Sequence, residues 1–265
     1  MRAFLKTPPQ SPTRSASVLF DRPGLSLANP AKIRQMAKAK HLRFEAAPGR
    51  EVSALLLTAP KPKYLLVLSH GAGAGMNHPF MQNLSEALAD AAISTFRYQF
   101  PYMEEGRHVP DRPPILTATV AAAVRAASKT APKLPIFAGG KSMGGRMTSQ
   151  AAAQGLLPDV RGLVFFGFPL HQPNRPDTKR ADHLADVKIP MLFLQGTRDT
   201  LADLTLLRPL VKKLAPRATL HIIDTADHSF HVLKSAKKTD AEVLHELAAT
   251  TASWMQANTS RSSSD

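Results

Sequence analysis

The chain contains no cysteine among its 265 residues, and this absence excludes several kinds of chemistry. A protein without thiols forms no disulfide, uses no thiolate nucleophile and holds no metal through cysteine. The absence fits a protein of a reducing compartment, so the sequence predicts a cytoplasmic location.

Long apolar runs are also absent. No stretch approaches the ~20 consecutive apolar residues that a membrane span requires, and the first residues lack the apolar core of a secretory signal. We therefore expect no membrane partner. The hydrophobic content of 43% is ordinary for a globular protein, and the length fits one α/β domain with a single core.

Acidic side chains are few relative to basic ones, which gives the chain a net charge of +14. Residues 1–40 carry eight Lys or Arg and a single acid, so about half of the excess lies there. We interpret residues 1–40 as a basic, disordered extension, with Met36 as an alternative start, and residues 258–265 as a disordered, serine-rich tail. Charge concentrated outside the folded domain favours a solvated tail over nucleic-acid binding, so no nucleic-acid partner is expected.

Between these ends, residues 41–257 alternate between strand and helix patterns. Short apolar runs such as 64–69 are typical of strands buried on both faces. This alternation predicts an α/β fold with a mostly parallel central sheet and helices on both faces. The predicted strands are 41–46, 52–59, 64–69, 93–100, 135–139, 162–166, 190–195 and 218–224, and the predicted helices are 79–92, 114–128, 145–154, 201–214 and 240–256. The polar residues 169–187 are predicted to form a short, mobile excursion over the site.

The segment Gly140-Lys-Ser-Met-Gly144 is a G-x-S-x-G motif between a predicted strand and a predicted helix. In that context the serine lies on a strained turn that raises its hydroxyl above the sheet edge. Ser142 is therefore the candidate nucleophile. The amide of Met143, at the start of the following helix, is the first candidate donor to an oxyanion.

The partners of such a serine follow it in the order acid, then histidine, each after a parallel strand. Asp199 follows the strand at 190–195 and is the candidate acid that orients the histidine. The alternatives are that Asp199 merely caps a helix, or that Asp203 is the acid, although Asp203 falls in the predicted helix.

His228 follows the last predicted strand and is the candidate general base. His231 is near enough to compete for this role, while Asp227, its sequence neighbour, would point elsewhere. A metal site at His228 and His231 lacks a convincing third ligand. The sequence therefore predicts neither a metal nor a cofactor.

The second oxyanion donor is expected in the glycine-rich loop after the strand at 64–69. Its glycines allow backbone amides to turn inward, and Ala72 is the expected donor, with Gly71 as the alternative. His70 is expected to support the loop rather than to react. Gly71 and Gly73 are also predicted to contact the substrate.

Five segments together resemble a little-characterised branch of the α/β-hydrolases. They are His70–Met76, Arg97–Met103, Gly139–Arg146, Gly196–Asp199 and Asp227–Phe230. The branch is similar to dienelactone-hydrolase-like enzymes and includes a subunit of the NSL chromatin acetyltransferase complex and a testis-expressed relative. The resemblance covers about residues 41–257 and implies the α/β-hydrolase fold. Dienelactone hydrolases use a cysteine nucleophile, so a serine here argues against that activity.

The same resemblance implies that Arg97 and Tyr102 line or brace the site. The alternative is that Tyr102 only packs and that Arg97 pairs with a carboxylate. Near the serine, the charges of Lys141 and Arg146 either favour an anionic substrate or are simply solvated.

These residues predict a serine hydrolase that transfers the acyl group of a small ester to water, without a cofactor. A protein of a different class remains open: a catalytically idle scaffold with this fold that binds a protein partner, as the NSL relative is expected to do.

Overall fold

The computed structural model describes residues 39–260. The predicted extension up to residue 38, including Met36, and residues 261–265 of the predicted tail lie outside the described residues. Within residues 39–260, no helix is both long and apolar enough to cross a membrane.

One eight-stranded sheet organises the described chain. Its spatial order is β1-β2-β4-β3-β5-β6-β7-β8, and only the β1–β2 and β2–β4 pairs are antiparallel. The prediction of a mostly parallel sheet is confirmed. In sequence order the strands are β1 (Lys40–Ala47), β2 (Arg50–Leu57), β3 (Tyr64–Ser69), β4 (Ile93–Tyr98), β5 (Ile136–Lys141), β6 (Leu163–Phe166), β7 (Met191–Gly196) and β8 (Ala218–Ile223).

Helices cover both faces of this sheet. They are α1 (Pro79–Asp90), α2 (Pro101–Glu104), α3 (Pro113–Thr130), α4 (Met143–Ala153), α5 (Leu204–Lys213) and α6 (Asp240–Ser260), with a 3₁₀ helix over Lys179–Ala185. In β7, Met191 and Phe193 pack into the apolar cluster that contains α3, α4 and α5. Leu192 and Leu194 point to the opposite cluster, which contains α1 and α6. Alternate side chains of one strand thus enter two cores, which explains its continuous apolar sequence.

Several elements differ from the sequence predictions. Helix α2 was not predicted, and α5 begins at Leu204 rather than at residue 201. The 3₁₀ helix packs against α4, with Ala181 and Leu184 buried, so this part of residues 169–187 is docked on the fold rather than free to move over the candidate site. Helix α6 continues to Ser260, three residues into the predicted tail. Side chains stabilise that last turn, since Asn258 and Thr259 donate to the carbonyls of Trp254 and Met255.

Glycines allow β5 and α4 to approach their neighbours at backbone distance. A Cβ atom on Gly139 would lie 1.9 Å from the carbonyl oxygen of Val164 in β6. Cβ atoms on Gly140 and Gly144 would lie 2.4 Å and 2.6 Å from the carbonyl oxygen of Ser69, at the end of β3. Only glycine fits at these three positions, and the turn between β5 and α4 is held tightly against β3 as a result.

We expect Gly139→Ala to lower the free energy of unfolding by about 3 kcal/mol or more, because a backbone carbonyl cannot move away without breaking the β5–β6 pairing. Gly71→Ala is the matched control, since a Cβ atom there has no neighbour closer than 3.6 Å. The control should change stability by less than about 1 kcal/mol. Equal urea-unfolding midpoints for the two variants would show that the close approach is not required.

Candidate active site

Ser142 lies on a strained turn between β5 and α4. Its backbone has φ 51° and ψ −119°, which few residues other than glycine adopt. The amide of Ser142 donates to the carbonyl oxygen of Phe166 at 3.2 Å, so the turn is tied to the end of β6. The turn has the geometry that the G-x-S-x-G motif predicts, and it presents the hydroxyl at the edge of the sheet.

Three side chains form a hydrogen-bonded chain at this edge. His228 Nε2 lies 2.9 Å from the Ser142 hydroxyl, and His228 Nδ1 lies 2.7 Å from Asp199 Oδ2. Since an ionised carboxylate only accepts, Nδ1 carries the proton and Nε2 is left to accept from the serine. The structure thus brings together the three residues that the sequence singles out, and in the expected order.

Asp199 is fully buried and all of its oxygens are engaged. Oδ2 also accepts from Gln195 Nε2 at 2.5 Å, and Oδ1 accepts from the amide of Leu201 at 2.8 Å. The bond to Leu201 shows that Asp199 stabilises the following turn as well as His228. Gln195 is itself held, because its Oε1 accepts from the amide of Phe168 at 3.0 Å. Sequence reasoning missed Gln195, although one polar amide in the otherwise apolar strand β7 is a recognisable signal.

The alternative partners of the serine have other hydrogen bonds. Asp203 caps α5 by accepting from the amide of Thr205 at 2.8 Å. Asp227 accepts from the amides of Ser229 and His231. The His231 ring pairs with Asp240 at 2.6 Å. Within residues 39–260, none of these side chains bonds to Ser142 or His228.

Both candidate oxyanion donors lie beside the serine. Met143 is the first residue of α4, where a backbone amide has no intrahelical acceptor. Gly71 and Ala72 line the same cavity as Ser142 and His228. A Cβ atom on Gly71 would lie 3.7 Å from the Cβ of Ser142, so this loop passes directly over the nucleophile.

His70 holds the start of that loop. Its ring is fully buried, Nδ1 donates to the carbonyl oxygen of Gly71 at 2.7 Å, and Nε2 accepts from the amide of Phe100 at 3.1 Å. Burial lowers the pKa of His70 to about 4. His70 therefore stays neutral at pH 7 and supports the loop, as the sequence predicts.

Arg97 and Tyr102 brace the loop from behind. The Tyr102 hydroxyl accepts from the amide of Gly73 at 3.2 Å, and Arg97 Nη1 donates to the carbonyl oxygen of Met76 at 3.1 Å. None of Gly73, Arg97 and Tyr102 lines the cavity at Ser142, and their contact with substrate stays a prediction. The bracing role implied by the family resemblance agrees with these bonds.

The cavity above Ser142 has a volume of about 510 Å³. Its walls are the loop after β3, the start of α1, the turn at Ser142, the loop after β8 and the start of α6. The rings of Phe80 and Phe230 stack at 5.8 Å between centroids and form an apolar wall. Sequence reasoning gave these two aromatic residues no role, although Phe230 ends the segment that carries His228.

The two cations near the serine have different surroundings. Lys141 lines the cavity and donates to the backbone carbonyl of His228 at 2.6 Å. Burial lowers the pKa of its ammonium to about 8, and the charges of Asp199 and Asp227 limit the fall. Arg146 is outside the cavity, where burial and then repulsion from Arg180 lower its pKa. Neither cation is simply solvated, and only Lys141 can reach a ligand at Ser142.

Comparison with known families agrees with this architecture. Residues 62–256 match the family described as the alpha/beta hydrolase domain, over more than half of the chain. This chain belongs to that family. The expected fold class is thereby confirmed.

In the described part of the hydrolase, no group of three or more His, Asp or Glu side chains is placed to hold a metal ion.

Solved structures of several other hydrolases are similar to this one. A dienelactone hydrolase from Anabaena variabilis has a TM-score of 0.66 at 19% identity, over 84% of this chain and 98% of that one. An α/β serine hydrolase without a lid, from Xanthomonas campestris, has a TM-score of 0.64 at 18% identity, over 82% and 95%. The esterase domain of a Rhodothermus marinus protein has a TM-score of 0.61 at 16% identity, over 82% and 97%. At these identities the likeness establishes a shared fold.

We expect the stability of the hydrolase to fall as the pH drops from about 6.5 to about 4. The pKa of His70 is lower in the folded state than in the unfolded chain, so the unfolded chain binds more protons in that window. This one group should account for about 2 kcal/mol at pH 5. Urea unfolding at pH 7.5 and pH 5 should therefore show a smaller loss in His70→Gln than in the wild type. An equal loss would contradict a neutral, buried His70.

Proposed function

We propose that this protein is a serine hydrolase that cleaves an ester-type bond of a small substrate. The observation that carries the proposal is the hydrogen-bonded chain from Asp199 through His228 to Ser142, on a strained turn that opens into a cavity. A buried carboxylate, an oriented imidazole and an exposed hydroxyl in this order are the parts that activate a serine. The similarity to hydrolases of known structure supports the same reaction class.

The reaction begins when the Ser142 hydroxyl attacks the ester carbonyl carbon and His228 Nε2 takes its proton. The carbonyl oxygen becomes an oxyanion, which the amides of Met143 and Ala72 stabilise. His228 then gives the proton to the departing alcohol, and the acyl group stays on Ser142. Water attacks this acyl-enzyme with His228 as base, which releases the acid and returns the proton to Ser142.

Asp199 acts through His228 in both steps. Its carboxylate keeps the imidazole in the tautomer that has a free Nε2 and stabilises the imidazolium that forms. The bonds from Gln195 and Leu201 fix the carboxylate, so that this stabilisation needs no rearrangement during the reaction. Gln195 is therefore a positioning residue of the proposed mechanism.

The cavity limits the size of the substrate. Its volume of about 510 Å³ is in the range of small-molecule sites. Phe80, Phe230 and Leu244 supply apolar walls. These features favour a small ester with an apolar portion, and we propose such a molecule as the substrate. We propose the cytoplasm as the location of the protein, because the chain has no cysteine.

The test is labelling with a fluorophosphonate, a probe that reacts with activated serines. We expect Ser142→Ala to abolish labelling, and His228→Ala to slow it by a factor on the order of 10⁴, since these residues act as a unit. Asp199→Ala should also slow labelling by orders of magnitude. His231→Ala is the matched control for His228→Ala, and Asp203→Ala is the matched control for Asp199→Ala. Both controls should label at close to the wild-type rate.

Failure of the folded wild type to label would reject the hydrolase. It would instead favour the scaffold that binds a protein partner. Labelling that survives in Ser142→Ala would place the reactive serine elsewhere in the chain.

A further inference from the structure

Lys141 is a cation inside the cavity that the proposed mechanism does not use. It is the residue before Ser142, and its side chain remains partly exposed to the cavity. Its Nζ lies 5.8 Å and 5.7 Å from the ring centroids of Phe80 and Phe230. The ammonium is therefore held near an apolar wall of the cavity, on a side chain that begins at the residue next to the reacting serine.

The charge of Lys141 lacks a carboxylate partner within the described chain. Its ammonium donates to the neutral carbonyl of His228, and Asp199 and Asp227 act on it only through longer-range attraction. The oxygens of Asp199 are already bound by His228, Gln195 and Leu201. An ammonium that is withdrawn from water without an anion is destabilised, and an anionic ligand would relieve this cost.

The other charges of the cavity do not supply that anion. Among its lining residues, Asp240 is the single carboxylate. Asp240 pairs with the His231 ring at 2.6 Å and accepts from the amide of Val232 at 3.0 Å. Asp240 is thus engaged at the rim of the cavity, and within the described chain it makes no ion pair with Lys141.

The position of Lys141 also limits where the anion lies in the substrate. A Cβ atom on Gly71 would lie 3.7 Å from both Lys141 Cγ and Ser142 Cβ, so the lysine stem runs beside the nucleophile. Only Cδ and Cε separate Cγ from the ammonium. An anion bound by Nζ is therefore a few bonds away from a carbonyl carbon that Ser142 attacks.

We propose that Lys141 binds a carboxylate of the substrate, and that the preferred substrates are half-esters of short dicarboxylic acids. This inference rests on the proposed function. The carboxylate pairs with the ammonium, the methylene chain lies against Phe80 and Phe230, and the ester carbonyl faces Ser142. A lysine that only held the His228 loop would instead affect charged and neutral esters equally.

The experiment compares two esters of the same length. Monomethyl glutarate carries the carboxylate, and methyl glutaramate has a neutral amide in its place. We expect the wild type to have a higher kcat/KM for the half-ester, and the ratio of the two values to fall at least about tenfold in Lys141→Gln. Lys141→Arg, which keeps the charge, should retain the preference. Lys213→Gln, at an exposed position on α5, is the control and should keep the wild-type ratio.

Two results would overturn the proposal. One is a wild type with no preference for the half-ester. The other is a Lys141→Gln variant that slows both esters by the same factor, which would make Lys141 a positioning residue for His228. If the wild type labels with the fluorophosphonate and either result is found, the carboxylate subsite is rejected but the serine hydrolase is not. Wild type that does not label rejects both.

A second measurement does not depend on the folding of a variant. Free glutarate should inhibit fluorophosphonate labelling of the wild type at concentrations at least about tenfold lower than glutaramide, the neutral diamide of the same length, does. Equal inhibition by the two compounds, or none, would contradict a carboxylate subsite at Lys141.

Discussion

The close approach of backbone atoms between β3 and the turn at Ser142 is the constraint on which the site depends. Gly140 and Gly144 leave no room for a side chain against the end of β3. This contact fixes the strained turn that exposes the serine. It also brings the loop after β3 over the side chain of Ser142. The nucleophile and its candidate oxyanion donors are therefore positioned by one packing contact.

The parallel sheet supplies the rest of the arrangement. Strands β5, β7 and β8 end at one edge, and the loops that follow them carry Ser142, Asp199 and His228. Residues behind this edge stabilise it without touching the cavity: Gln195 holds the acid, while His70 and Tyr102 hold the loop after β3. Lys141 differs from them because it is both bonded to the His228 loop and open to the cavity.

Most of the fold could be predicted from the sequence, because buried parallel strands are short apolar runs. The strand at 64–69 was predicted with its observed bounds. Motif order was also sufficient to single out Ser142, Asp199 and His228, although their catalytic roles stay predictions. The expected contacts of Arg97 and Tyr102 with substrate stay predictions; the structure shows both side chains bonded to the loop after β3, and sequence does not tell which side of a loop a residue supports. The sequence left two interpretations of Lys141 open, because its position near the rings of Phe80 and Phe230, which are distant in sequence, could not be foreseen.

The most direct test of the central claim is to trap the acyl-enzyme. An activated aryl ester is mixed with the protein, the reaction is quenched in acid during turnover, and the peptides are weighed by mass spectrometry. We expect an acyl group on the peptide that contains Ser142, and its loss in Ser142→Ala. Turnover with an acyl group on another residue, or with no covalent adduct under conditions that accumulate one, would contradict Ser142 as the nucleophile.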